Sequence, residues 1–148
     1  MEILDFFEPV DLSQLDKPEA FEEASWPHVV DFYTGEAPVW EDKKIALIGI
    51  QDKKGETSGN GIRNYLYKLK RAELAEHVID LGNFTFSYTQ KDYESLGFVL
   101  SELLNNNLFP VIINGKQELT YAQYLAFTYL KRYVNAVIFD SRLDFELK

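Results

Sequence analysis

Beyond residue 42 the chain is punctuated by four short, nearly continuous apolar runs: Ile45-Ala46-Leu47-Ile48-Gly49-Ile50, Val78-Ile79-Asp80-Leu81-Gly82, Phe109-Pro110-Val111-Ile112-Ile113 and Ala136-Val137-Ile138-Phe139-Asp140. A strand with one wet face alternates apolar and polar residues. Runs that do not alternate belong to strands covered on both faces, as in a parallel sheet. Strands are therefore expected at 45–50, 78–81, 110–113 and 136–140. The text between them has a helical period. Ile62, Tyr65, Leu66 and Leu69 recur behind the capping candidate Asn60, and Leu96, Val99, Leu100, Leu103 and Leu104 stop at Asn105-Asn106-Asn107. Leu119, Ala122, Tyr124, Leu125, Ala126, Tyr129 and Leu130 form a third pattern, with Thr120 near its start. The order β-α-β-α-β-α-β predicts an α/β fold, a three-layer open sheet with mostly parallel strands and right-handed crossovers.

Residues 1–42 read differently. They are acidic and hold four of the five prolines, Pro9, Pro18, Pro27 and Pro38, a spacing that excludes a long helix and a central strand alike. They also carry Phe6, Phe7, Phe21, Trp26, Phe32, Tyr33 and Trp40. Aromatics at that density predict an arm packed on the α/β domain of residues 43–148, with Trp26, Phe32 and Trp40 largely buried.

The charge balance narrows the functions open to such a fold. Fifteen Lys and Arg against 24 Asp and Glu leave a net charge of −9, which argues against a surface for nucleic acid, since phosphate binding needs clustered cations. With no cysteine there are no disulfides, thiolate metal sites or cysteine nucleophiles. No apolar run approaches the roughly 18 residues of a membrane span. The opening Met1-Glu2-Ile3-Leu4-Asp5 is acidic, unlike a secretory signal, so a cytoplasmic protein without membrane contact is expected.

In open α/β sheets ligands bind beyond the carboxyl ends of the strands. The residues expected there are Gln51 and Asp52, then Asn83, then Asn114, Lys116, Gln117 and Glu118, and finally Asp140, Ser141, Arg142 and Asp144. General catalytic motifs do not fit them. The loop Gly55-Glu56-Thr57-Ser58-Gly59-Asn60-Gly61 lacks the Lys-Ser/Thr of a P-loop and the spacing of a dinucleotide site. His28 and His77 are far apart and have no ligand-like spacing to a carboxylate, and Ser141 sits in no nucleophile elbow. An acidic pair on the first and fourth strands is also a poor match to a phospho-acceptor site.

Four stretches together resemble the N-terminal half of the ureohydrolases (arginase, agmatinase and formimidoylglutamase), especially the formimidoylglutamase-like branch. They are Ile45-Ala46-Leu47-Ile48-Gly49-Ile50 with the following Gly61-Ile62-Arg63-Asn64-Tyr65-Leu66; Val78-Ile79-Asp80-Leu81-Gly82-Asn83; Pro110-Val111-Ile112-Ile113-Asn114-Gly115-Lys116-Gln117; and Val137-Ile138-Phe139-Asp140-Ser141-Arg142-Leu143-Asp144. The resemblance covers roughly Lys43 to Glu146, and it implies an arginase-like sheet.

It also implies where a metal site would stand. Active relatives hold two manganese ions with a His in the third stretch, with Asp, His and Asp in the fourth, and with two Asp residues from a second half that has no counterpart in this chain. Carried over, the first His is Gln117, the fourth stretch keeps Asp140 and Asp144, and Arg142 replaces its His. Two carboxylates and an amide do not offset two divalent ions, and an always-protonated guanidinium opposes a cation. The resemblance thus implies a degenerate site with no catalytic residue and no bound metal, in which Asn114, Gln117, Asp140, Arg142 and Asp144 form at most a polar pocket. The expected role is binding or assembly, as a homo-oligomer or with a protein partner covering a sheet edge. Two alternatives stay open: an active metal-dependent hydrolase of C–N bonds in guanidino or formimino compounds, as part of a longer enzyme, and an unrelated flavodoxin-like binding module.

Overall fold

The computed structural model describes residues 2–15, 26–53, 59–69, 73–113, 115–137 and 139. Their strands are β1 (Phe7–Glu8), β2 (Asp31–Phe32), β3 (Ile45–Asp52), β4 (Val78–Phe86) and β5 (Phe109–Ile113), and their helices are α1 (Asn60–Leu66), α2 (Gln90–Asn105) and α3 (Thr120–Tyr129). The strands form one sheet in the order β1-β4-β3-β5, with β2 also on β4. β3 runs parallel to β4 and β5, β2 runs parallel to β4, and only β1 is antiparallel. This is the mixed α/β fold with a mostly parallel sheet that the apolar runs predict.

Phase along the strands sorts the core. Ala46, Ile48 and Ile50 of β3 and Ile79 and Leu81 of β4 join Leu96, Val99, Leu100 and Leu103 of α2 and Ala122 and Ala126 of α3 in one cluster. Leu47 and Val78, one residue out of phase, belong to another with Val30, edged by Trp26, Phe32 and Leu66. α2 starts where its sequence provides a capping box: Thr89 Oγ1 accepts from Asp92 N at 3.3 Å, and Asp92 Oδ2 accepts from Thr89 N at 3.0 Å. Within the first 42 residues, β1 and β2 pair onto β4 and Ile3, Phe7, Val10, Leu15 and Val30 are buried, while Trp26, Phe32 and Trp40 are only partly covered.

β4 runs longer than its apolar run, because Gly82 carries it through a bulge. Between the pairs Leu47↔Asp80 and Gly49↔Asn83, β4 advances three residues while β3 advances two. The extra residue inverts the phase, so that Phe84 and Phe86 enter the same cluster as Ile79 and Leu81. Gly82 has φ +84°, and a Cβ there would collide with the backbone carbonyl of Glu8 in β1. Asn83, like Gln51 and Asp52 on β3, therefore lies inside a strand and not beyond its end.

α1 also differs from its expected face. Ile62, Tyr65 and Leu69 are exposed, and the residues it buries are Arg63 and, just past its end, Tyr67. The polar attraction described below sets that rotation.

The described residues of the fourth expected strand are not in a strand. Ala136, Val137 and Phe139 carry no strand pairing, with Val137 76% and Phe139 95% exposed, while Ile138 and Asp140 lie outside the described residues. α3 ends just before this stretch. Lys131 sits at φ 54°, its N–H donates to Thr128 O at 3.0 Å, and Arg132 N donates to Phe127 O at 3.0 Å, a Schellman stop. The chain beyond it meets no strand edge among the described residues, and a strand without a neighbour has no ladder. β5 is left as the outer strand. Phe109 N donates to Lys44 O of the β3 side at 2.7 Å, so alternation turns residues 110 and 112 outward, where Pro110 has no N–H to leave unpaired.

Gly82→Ala is expected to lower stability by about 2 kcal/mol or more, from strain at positive φ plus the clash with β1. Urea denaturation followed by circular dichroism checks it, and a loss below about 0.5 kcal/mol would show that the bulge relaxes freely.

Candidate functional site

The most polar feature of the interior begins with a carboxylate. Asp80 lies mid-strand in β4 with no solvent exposure, and Arg63 of α1, equally buried, meets it side on. Arg63 Nε donates to Asp80 Oδ2 at 2.8 Å and Nη2 to Oδ1 at 2.7 Å, the bidentate geometry that suits a guanidinium and a carboxylate. Nη2 also donates to Gly82 O at 2.8 Å. The carboxylate takes two further donors, Gly82 N at 2.9 Å and the Tyr67 hydroxyl. Space for the guanidinium comes from Gly49 of β3, since a Cβ there would lie 2.7 Å from Arg63 Nη1 and collide with Asn83 Oδ1.

The protonation states follow. Burial opposes the Arg63 charge, but the hydrogen bonds and charge of Asp80 outweigh it and hold the guanidinium above its usual range. Burial, then the adjacent Asp80 charge, push the Tyr67 hydroxyl far above the usual phenol range, so it stays a neutral donor.

Arg63 then dictates the direction of two chains of amides, because a guanidinium only donates. Nη1 donates to Asn83 Oδ1 at 2.6 Å, so Asn83 presents its NH₂ to Gln51 Oε1 at 3.2 Å, and the Gln51 NH₂ is turned away from Asn83. Nη1 also donates to Asn60 Oδ1 at 3.2 Å; Asn60 Nδ2 donates to Gln14 Oε1 at 3.0 Å, and Gln14 Nε2 to Asp11 Oδ2 at 2.8 Å. These side chains, with Glu8 and Pro9, line a cleft of about 270 Å³ at the carboxyl side of β3 and β4. Among the described residues, Glu8 and Asp11 are its charged lining groups. Its chemistry is that of a small polar binding site with fixed amide donors and two carboxylates. Among the described lining residues none is a nucleophile paired with a base.

The residues expected from sequence to form the polar pocket fare differently. Asn114, Asp140, Arg142 and Asp144 lie outside the described residues. Gln117 is exposed at the start of a short 3₁₀ turn (Gln117–Leu119) before α3, and it does not line the cleft. An exposed neutral amide does not fit the anionic or imidazole donor set that a dinuclear manganese centre needs. Among the described residues no group of three or more His, Cys, Asp and Glu side chains converges as metal ligands. Sequence reasoning missed Arg63, Tyr67 and Asp80 as a unit, although a signal existed. Asp80 is the one charge inside an apolar strand, and a charge there requires a partner.

Removing one partner strands the other in the interior. Asp80→Leu and Arg63→Met are each expected to cost about 3–5 kcal/mol, while the double variant Arg63→Met/Asp80→Leu loses clearly less than their sum. A double-mutant cycle in urea showing simple additivity would mean that the two charges are not coupled.

Compared with protein-family models, curated proteins and solved structures, the chain matches none.

Proposed function

We propose that this chain is a ureohydrolase-like domain without hydrolytic activity of its own, whose role is binding or assembly. The observation that carries this reading is the Arg63–Asp80 lock. Two of the four stretches that resemble the family meet in it: Arg63 from the first, whose strand is β3, and Asp80-Leu81-Gly82-Asn83 from the second, on the neighbouring β4. The parallel neighbours β4, β3 and β5 support an arginase-like sheet, with α2 and α3 forming one outer layer and α1 with the arm the other.

Hydrolysis in that family depends on two cations that lower the pKa of a bridging water. In this chain the corresponding positions carry the amide of Gln117 and the guanidinium of Arg142 in place of two imidazoles, beside Asp140 and Asp144. The always-protonated Arg142 stands in sequence between those carboxylates, a positive charge where the relatives carry a metal-binding imidazole. The domain works in the cytoplasm, binds neither nucleic acid nor membrane, and needs no cofactor.

Arginase, agmatinase and formimidoylglutamase assays with added manganese are expected to give no turnover above background. Calorimetric titration with manganese is expected to show no tight uptake of two ions per chain. Manganese-dependent turnover that disappears in Asp140→Ala would overturn the reading.

A further inference from the structure

The polar cleft above the Arg63–Asp80 lock contains two groups of opposite kind that the described residues leave unanswered. Gln51 accepts from Asn83 through Oε1, and its Nε2 has no partner among the described residues. Glu8 accepts from Thr85 Oγ1 through Oε1 at 2.8 Å, and its Oε2 has no partner among them either. Both side chains line the cleft, and the sheet sets them on its two sides. Glu8 of β1 pairs with Asn83 of β4, and Gln51 of β3 pairs with Thr85 of β4, so one strand lies between their backbones. Two strand spacings separate them by roughly 10 Å. The space of the cleft is about 270 Å³.

We propose that this cleft binds a neutral ring bearing several hydroxyl groups, a monosaccharide or the terminal unit of a glycan, held between Glu8 and Gln51. A ligand that meets both must donate on one side and accept on the other. A cation only donates and has nothing to offer the Gln51 N–H. An anion only accepts, and it would meet Glu8 and Asp11 with no Lys, Arg or His among the described lining residues. Nor does Arg63 help it, because its guanidinium is spent on Asp80, Gly82 and two asparagines. A hydroxyl does both, and a ring with hydroxyls on opposite edges spans the gap. Pro9 gives such a ring an apolar wall for its C–H face, while the other described lining side chains are all polar and would be stranded by a large apolar ligand. The Gln51 donor is also fixed in advance. Were its amide to flip, its NH₂ would face the NH₂ of Asn83, whose own direction Arg63 sets. That preorganisation lowers the cost of ordering the site on binding.

The inference rests on the binding half of the proposed function. Its test reads occupancy of the cleft and not turnover, so either can fail alone. Methyl α-D-mannopyranoside and methyl α-D-glucopyranoside, which differ in one hydroxyl, are titrated into the whole chain and followed by heteronuclear NMR. At least one is expected to shift the side-chain NH₂ signals of Gln51 and Asn83 saturably, with an affinity that salt does not change, since the ligand is neutral. Gln51→Glu keeps the acceptor for Asn83 but replaces the donor by an oxygen, and Glu8→Gln removes the carboxylate from the other side. Each should weaken binding by about tenfold with an unchanged urea midpoint. Should one variant shift the midpoint, the other carries the comparison. Absence of a saturable shift with both glycosides, tighter binding of acetamide or methylammonium than of either, or glycoside binding that both substitutions leave intact would each overturn the assignment.

Discussion

Asp80 is a carboxylate with no access to water in the middle of a parallel sheet, and its surroundings on β4 answer its charge. Left alone, such a group would cost more than a small domain's whole stability margin. Arg63 neutralises it, Tyr67 and the Gly82 amide complete its hydrogen bonds, and Gly49 stays bare to admit the guanidinium. A buried ion pair of this kind adds little net stability over an apolar substitute; its main effect is to make alternatives expensive. α1 packs with Arg63 inward although Ile62, Tyr65 and Leu69 are more hydrophobic, because any other rotation would leave the buried Asp80 charge unpaired.

The bulge at Gly82 is the geometric counterpart of that electrostatic demand. Without it, Asn83 would share a face with Ile79 and Leu81, and Phe84 would share one with Asp80. With it, Phe84 and Phe86 return to the main core while Asn83 reaches Arg63. One residue out of register thus serves both the apolar and the polar side of the strand. The cleft above inherits its donor pattern from this arrangement, since each amide in it is oriented by the one beneath.

The three longer strands and the helices that follow them were legible because apolar runs and 3.6-residue periods report burial directly. β3, β4, β5 and the buried face of α2 lie where those patterns put them. The site was less legible. Position after an apolar run is a poor guide to chemistry here, because Gln51 and Asn83 act from within strands that run on past their apolar cores. The phase change from Ile79 and Leu81 to Phe84 and Phe86 across a glycine was visible in the text and announces the bulge. The face of α1 was not readable from hydrophobicity, because a charge pair overrode it. The run at 136–139 shows the limit of local pattern: it has the composition of a buried strand, but burial needs a neighbour that composition alone does not supply.

Pro110 has a consequence for any chain that approaches the outer rim of β5. Of the two residues turned that way, Pro110 offers only its carbonyl, which leaves the Ile112 amide as the single outward N–H of the strand. An incoming backbone finds one donor where an edge without proline would present two, so any partner that docks there forms a shorter ladder. The imino acid thus makes the rim a poor template for promiscuous sheet growth and leaves alignment to the side chains that meet there.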